Sequence, residues 1–119
     1  MAEHNDLGKE GELVACHYLV AKGYKIRAKN YRFQKAEVDI LAQKSGVLVA
    51  VEVKTRSTTE FGNPQDFVSP KQIRNLVKAV NAYVQEFSLD LEVRFDIIAI
   101  IKSSNGVSIK HLEDAFYHF

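Results

Sequence analysis

The sequence predicts an α/β fold, a mixed β-sheet flanked by helices in the order α-β-β-β-α-β-(β)-(α). Three observations predict it. A first segment of helical period is followed by two stretches of period two, "AEVDILAQ" and "VLVAVEVKT". A capped helix then separates the third strand from a fourth, "LEVRFDIIAII". Such a strand–helix–strand connection is a crossover, so the third and fourth strands are parallel if they share a sheet, whereas a tight hairpin joins antiparallel ones.

Leu7 to Lys22 has helical spacing, with Leu13, Cys16 and Val20 on one stripe and Ala15 and Leu19 beside it. Gly23 stops it, since the position after a helix often needs positive φ. Tyr24 to Phe33 reads as the first strand. Ala36 to Gln43 and Val47 to Thr55 are the next two, with Ser45-Gly46 as a two-residue hairpin turn. Ser69 N-caps the second helix, Pro70 suits its first position and Gln72 completes a capping box. Ile73, Leu76, Val77, Val80 and Val84 form its buried stripe, running to about Phe87. Leu91 to Ile101 alternates at first and then turns apolar on both faces, as a buried strand does. Asn105-Gly106 turns the chain into a short strand at Val107 to Ile109, and "HLEDAF" closes with a helical turn.

At 119 residues, 46% hydrophobic and 26% charged, the chain has the composition of one ordinary globular domain, taken as residues 1–119. A net charge of +1 neither favours nor excludes nucleic acid. Cys16 stands alone, which excludes an internal disulfide and a cysteine-built zinc site and suits a reducing compartment. "MAEHNDLGKEGE" has no apolar signal core, and no apolar run reaches the length of a membrane span. The expected location is cytoplasmic, with no membrane partner.

The charges on the strands are the unusual feature. Period two puts Val38, Ile40 and Ala42 on one face, and Glu37, Asp39 and Leu41 on the other. In the next strand Val47, Val49, Val51 and Val53 share a face, opposite Leu48, Ala50, Glu52 and Lys54. If Lys44 pairs with Val47, Asp39 falls opposite Glu52 and Glu37 opposite Lys54. Carboxylates facing across a ladder are about 5 Å apart at Cβ and repel. On a half-buried face a divalent cation relieves them; magnesium takes oxygen ligands and is often held by one or two carboxylates. Lys54 would then lie near a water or phosphate at that ion. The plainer alternative is a Glu37–Lys54 ion pair with Asp39 and Glu52 solvated. Glu12 lies along the margin of the packed stripe, and Gly8 and Gly11 would permit close approach of a neighbouring backbone or ligand. An N-terminal acid favouring the helix dipole explains Glu12 equally.

"GKEGELVACHYLVAKGYKI", "AEVDILAQ", "LVAVEVKTR", "FGNPQDFVSPKQ" and "RFDIIAI" resemble, in order, the motifs of the small bacterial YraN family. That family is described as uncharacterised and placed in the restriction-endonuclease-like PD-(D/E)xK superfamily, with archaeal Holliday-junction resolvases. The resemblance runs from about Gly8 to Ile100. It implies a restriction-endonuclease-like sheet and a metal site from Asp39 and Glu52, with Lys54 as catalytic lysine. It also implies Glu12 as the helix-borne acid and Gln72, with Lys71, as polar residues opening the following helix. Ala36 departs from the pattern, standing where the family usually has glycine. The implied activity is Mg2+-dependent (or Mn2+-dependent) hydrolysis of phosphodiester bonds in DNA, including branched, Holliday-junction-like DNA, in repair or recombination.

From Lys22 to Lys35 six basic residues, Arg32 among them, occur without an acid and interleave with Tyr24, Tyr31 and Phe33. Arg56, Lys71, Arg74 and Lys78 add cations near the expected site. These suit phosphates, although lysines also guard exposed strand edges. Asp96 reads as a partner for Arg94 or a backbone group, and the four histidines have packing or surface roles. Two other readings stay open: a nucleic-acid-binding module of the same fold without catalysis, and a partner-binding protein that uses the sheet edge. A homodimer has no support in the sequence.

Overall fold

The computed structural model describes residues 2–57 and 68–115, with side chains from Gly8 onward. The elements are α1 (Ala2–Ala21), β1 (Lys25–Phe33), β2 (Ala36–Lys44), β3 (Val47–Ser57), α2 (Pro70–Glu86), β4 (Glu92–Ser103) and β5 (Gly106–Leu112). The strands form one five-stranded sheet in the order β1-β2-β3-β4-β5. β3 and β4 are parallel, and the other neighbours antiparallel. This is the mixed sheet flanked by helices that the sequence predicts. The "FGNPQDF" segment lies outside the described residues.

Local chemistry sets the register. Ser45 (φ 52) and Gly46 (φ 79) are both left-handed, the conformation of a tight hairpin turn. Lys44 therefore pairs with Val47, and the ladder continues to Ile40–Val51. The capping box forms: Ser69 Oγ accepts the Gln72 N–H at 3.2 Å, and Gln72 Oε1 accepts the Ser69 N–H at 2.8 Å.

The helices cover opposite faces. Under α1, Ala15, Cys16 and Leu19 pack on Ile40, Ala42, Val49, Val51, Ile98 and Ile100. Under α2, Leu76, Ala79, Val80 and Tyr83 pack on Leu41, Leu48, Ala50 and Phe95. Two expectations are corrected. Leu13 (53% exposed) and Val20 (57%) face out, while Ala15 and Leu19 are fully buried. The reason is Gly11, where a Cβ would meet Thr55 Oγ1 at 2.0 Å. The helix sits so close to β3 there that its contact row opens with the small residues Gly11 and Ala15, which hydrophobic periodicity underweights. The second correction is at the end of β5. His111 and Leu112 belong to β5, opposite Ile98 and Ile97, and Glu113-Asp114 form a turn where a helical turn was expected. Strand pairing satisfies β4's backbone groups along that edge. Among the described residues no helix is long and apolar enough to cross a membrane.

Candidate functional site

The site begins at a break in the pleat. β1 and β2 pair through Lys29–Ile40 and Tyr31–Val38, and between these pairs Asn30 adopts φ 51. A left-handed residue inside a strand kinks it. Strict alternation fails here, because Val38 packs on the α2 side while Ile40 and Ala42 pack under α1. Asp39 lies at the kink. The regular β2–β3 ladder stops at Ile40–Val51, and Asp39 Oδ2 instead accepts the Val53 N–H at 2.8 Å. A side chain thus replaces the next rung, and its carboxyl is held at the point where the ladder ends.

Glu52 and Lys54 occupy the α2 face of β3, since Val49, Val51 and Val53 pack on the α1 side. Lys54 Nζ lies 3.3 Å from Glu52 Oε2, with side-chain exposures of 13% and 14%. Lys54 therefore pairs with Glu52 along its own strand. Glu37, which the extrapolated register set opposite it, pairs with Arg32 at 3.8 Å.

Burial, the charge of Glu52, and the more distant Glu12 and Glu37 push Asp39 up to about 8, against the Val53 N–H. Burial also raises Glu52, partly offset by Lys54 and by a side-chain hydrogen bond from Asp39. The two carboxyls therefore adjoin, and in the ion-free protein one of them keeps a proton. Glu12 reaches this neighbourhood because Gly11 lets α1 down onto Thr55; its Oε1 accepts from Asn30 Nδ2 at 3.2 Å. Asn30, the kink residue, thus also positions the helix acid, a role that composition and spacing do not reveal. Among the described residues, no group of three Asp, Glu, His or Cys side chains has metal-binding geometry.

Other expected residues are placed differently. Gln72 Oε1 is engaged in the cap. Lys71 and Arg74 are exposed on the first turns of α2. Arg32 is exposed beside Glu37, and Arg56 Nη1 donates to Thr55 O at 2.9 Å.

Asp96 is the other buried acid. The register sets it beside Val51, one residue short of the level of Glu52, so the face of the sheet separates the two. Asp96 is wholly ligated. Arg94 donates from Nε and Nη2, both at 2.9 Å, the Asp114 N–H donates at 3.0 Å, and His111 Nε2 lies at 2.7 Å. Arg94 matches the sequence reading. His111 does not, because β5's register alone brings it there, under Tyr18 OH at 3.0 Å.

Comparison with known proteins finds similarity along most of the chain. A family model described as uncharacterised protein family UPF0102 matches residues 11–100. A UPF0102 protein of Christiangramia forsetii is 66% identical over the whole of both chains, and one of Flavobacterium psychrophilum 61% over the whole of both. A UPF0102 protein of Phocaeicola vulgatus is 50% identical over 98% of this chain and 97% of its own.

Proposed function

The chain belongs to the uncharacterised protein family UPF0102, and from that premise we propose that it is a divalent-metal-dependent nuclease acting on DNA of branched or otherwise unusual structure. One observation carries the reading: two buried carboxyls, Asp39 held by the Val53 N–H and Glu52, adjoin beside the Lys54 ammonium. The donor set fits magnesium or manganese. Its donors are hard carboxylate oxygens, and mutual repulsion would be relieved by a dication. Asp39 and Glu52 would hold the ion, and Glu12, tethered by Asn30, would reach it through water. When bound, such an ion supplies Lewis-acid polarisation of a phosphoryl oxygen and acidifies a water.

The chain's own groups do the rest. Lys54 puts a positive charge, 3.3 Å from Glu52, where negative charge develops on a phosphate. The Val53 N–H fixes the Asp39 carboxyl, so little reorientation is needed when a ligand arrives. Exposed Lys71 and Arg74 offer phosphate contacts at the start of α2.

The test is a cleavage panel of labelled linear, flapped and four-way DNA with Mg2+ or Mn2+. Cleavage is expected, and Lys54→Ala should slow it by about 10²–10³-fold while leaving the protein folded. Cleavage that survives Asp39→Asn and Lys54→Ala unchanged would remove this reading. No cleavage of any substrate, with salt-sensitive DNA binding intact, would favour a binding module of the same fold.

A further inference from the structure

A second feature lies away from the carboxylates, along the outer edge of the sheet. β1 is an edge strand, and α2 packs across β1 and β2. Three adjoining depressions follow the seam between β1 and α2. The first, about 480 Å³, lies between the β1–β2 turn and the start of α2 and is lined by Lys35, Lys71 and Lys78. The second, about 530 Å³, shares Lys78 and is walled by Tyr31 and Phe33. The third, about 410 Å³, shares Tyr31 and Glu86 with the second and extends past Arg27 to Phe87. Shared residues make them one trough.

Its chemistry is uneven in a useful way. Lys25, Arg27, Lys35, Lys71 and Lys78 line it against the acid Glu86, although the chain as a whole carries only +1. Glu86 is already engaged, accepting from Tyr31 OH at 3.0 Å. Tyr31 stands edge-on to Tyr83, with ring centroids 5.1 Å apart and planes at 83°, and Arg27 Nε donates to Tyr83 OH at 3.0 Å. These contacts fix the Tyr31 and Tyr83 rings, with Phe33 beside them in the wall. Phe87 is 50% exposed at the far end.

A row of cations with fixed aromatic rings between them matches a polymer that shows both phosphates and open base faces. A duplex shows phosphates but hides its base faces in the stack, whereas a single strand shows both. We propose that the β1–α2 trough binds a single-stranded polynucleotide, with bases against Tyr31 and Phe33 and phosphates along Lys35, Lys71 and Lys78. The near end is directed towards Asp39, because Ala36, which lines it, lies three residues before Asp39 on the same strand. The trough therefore supplies the unpaired arm of a branched substrate, a role that rests on the nuclease reading. Binding itself is measurable without metal.

The test is fluorescence anisotropy in EDTA with a labelled oligothymidine of about 15 nucleotides, the matching duplex, and an oligouridine. The single strand, DNA or RNA, should bind more tightly than the duplex. Tyr31→Ala should weaken it by roughly tenfold, and Tyr31→Phe should restore it. Lys78→Gln, on an exposed position, should weaken it and reduce the salt dependence by about 0.7 in the log–log slope. Lys110→Gln, exposed on β5 at the opposite edge of the sheet, should bind as wild type. Thermal melts establish folding, and if Tyr31→Ala fails to fold, Lys78→Gln decides alone. Duplex binding as tight as single-strand binding, or wild-type affinity in Lys78→Gln, would overturn the proposal. Trough-dependent binding without cleavage of any substrate would uphold the trough and remove the nuclease; metal-dependent cleavage without single-strand binding would do the reverse.

Discussion

Asp39 and Asp96 flank β3 from either side, and their surroundings are opposites. Asp96 is fully buried, and burial pushes its carboxyl up, yet hydrogen bonds from His111 and Arg94 and the Asp114 N–H hold it below the usual range. Asp39 has one backbone donor, with Glu52, Glu12 and Glu37 nearby, and is pushed up to about 8. The protein closes one acid completely and leaves the other short of positive charge. Buried polar groups are normally satisfied, so an under-supplied carboxyl beside a second one suits the external cation proposed above, while a saturated one suits an architectural role.

Removing each acid tests that contrast most directly. Asp96→Ala leaves Arg94 and His111 facing an empty acceptor position, and urea unfolding should show a loss of about 3–5 kcal/mol. Asp39→Ala should leave the metal-free protein as stable as wild type, or more so. Equal losses would break the comparison.

Metal and pH sharpen it. Magnesium at 100 times its dissociation constant should raise stability by about 2.7 kcal/mol in wild type and not in Asp39→Asn. Asp39's folded value of about 8 lies above its ordinary 3.8, so the folded state holds a proton that the unfolded chain has given up. Stability of the metal-free protein should therefore fall as pH rises between those values, and a pH series of melts on Asp39→Asn should lack that slope. Asp96 acts in the other direction: its stabilisation is present above its ordinary 3.8 and is lost as pH falls through its lowered folded value. Metal binding at neutral pH should also release a proton, seen by calorimetry in buffers of different ionisation heat.

The smallest effect concerns the approach of α1. Gly11→Ala forces a Cβ against Thr55 Oγ1, and denaturant unfolding should show a loss of about 1–2 kcal/mol. Because the same approach carries Glu12 towards Asp39, magnesium affinity should drop with it, while the melt of the Asp96 cluster's acid limb should stay where it is.

Part of the candidate site's surroundings is legible in the sequence. The turn at Ser45-Gly46 carries its own register, so counting outward gave the rungs from Lys44–Val47 to Ile40–Val51, the last one before Asp39 and Glu52. Counting failed beyond Ile40, because Asn30's left-handed backbone, on another strand, kinks the pleat there. The Glu37–Lys54 pairing failed for that reason, and Lys54 turned to Glu52. The face of α1 was misjudged because a single glycine, Gly11, invisible to a hydrophobicity pattern, sets the closest contact.

The amino-acid sequence by itself determined the order of elements, the β2–β3 turn, the cap of α2 and which strands carry the candidate acids. Each of these depends on residues close together in the chain, where backbone preference and hydrogen-bonding reach are local. Tertiary structure alone decided how many donors each acid receives. His111 comes to Asp96 from β5, Glu12 to Asp39 from α1, and Tyr31 to Lys78 across the β1–α2 seam. Such meetings follow from which strand lies beside which and how closely a helix can settle, and they are set by the packing of the whole chain.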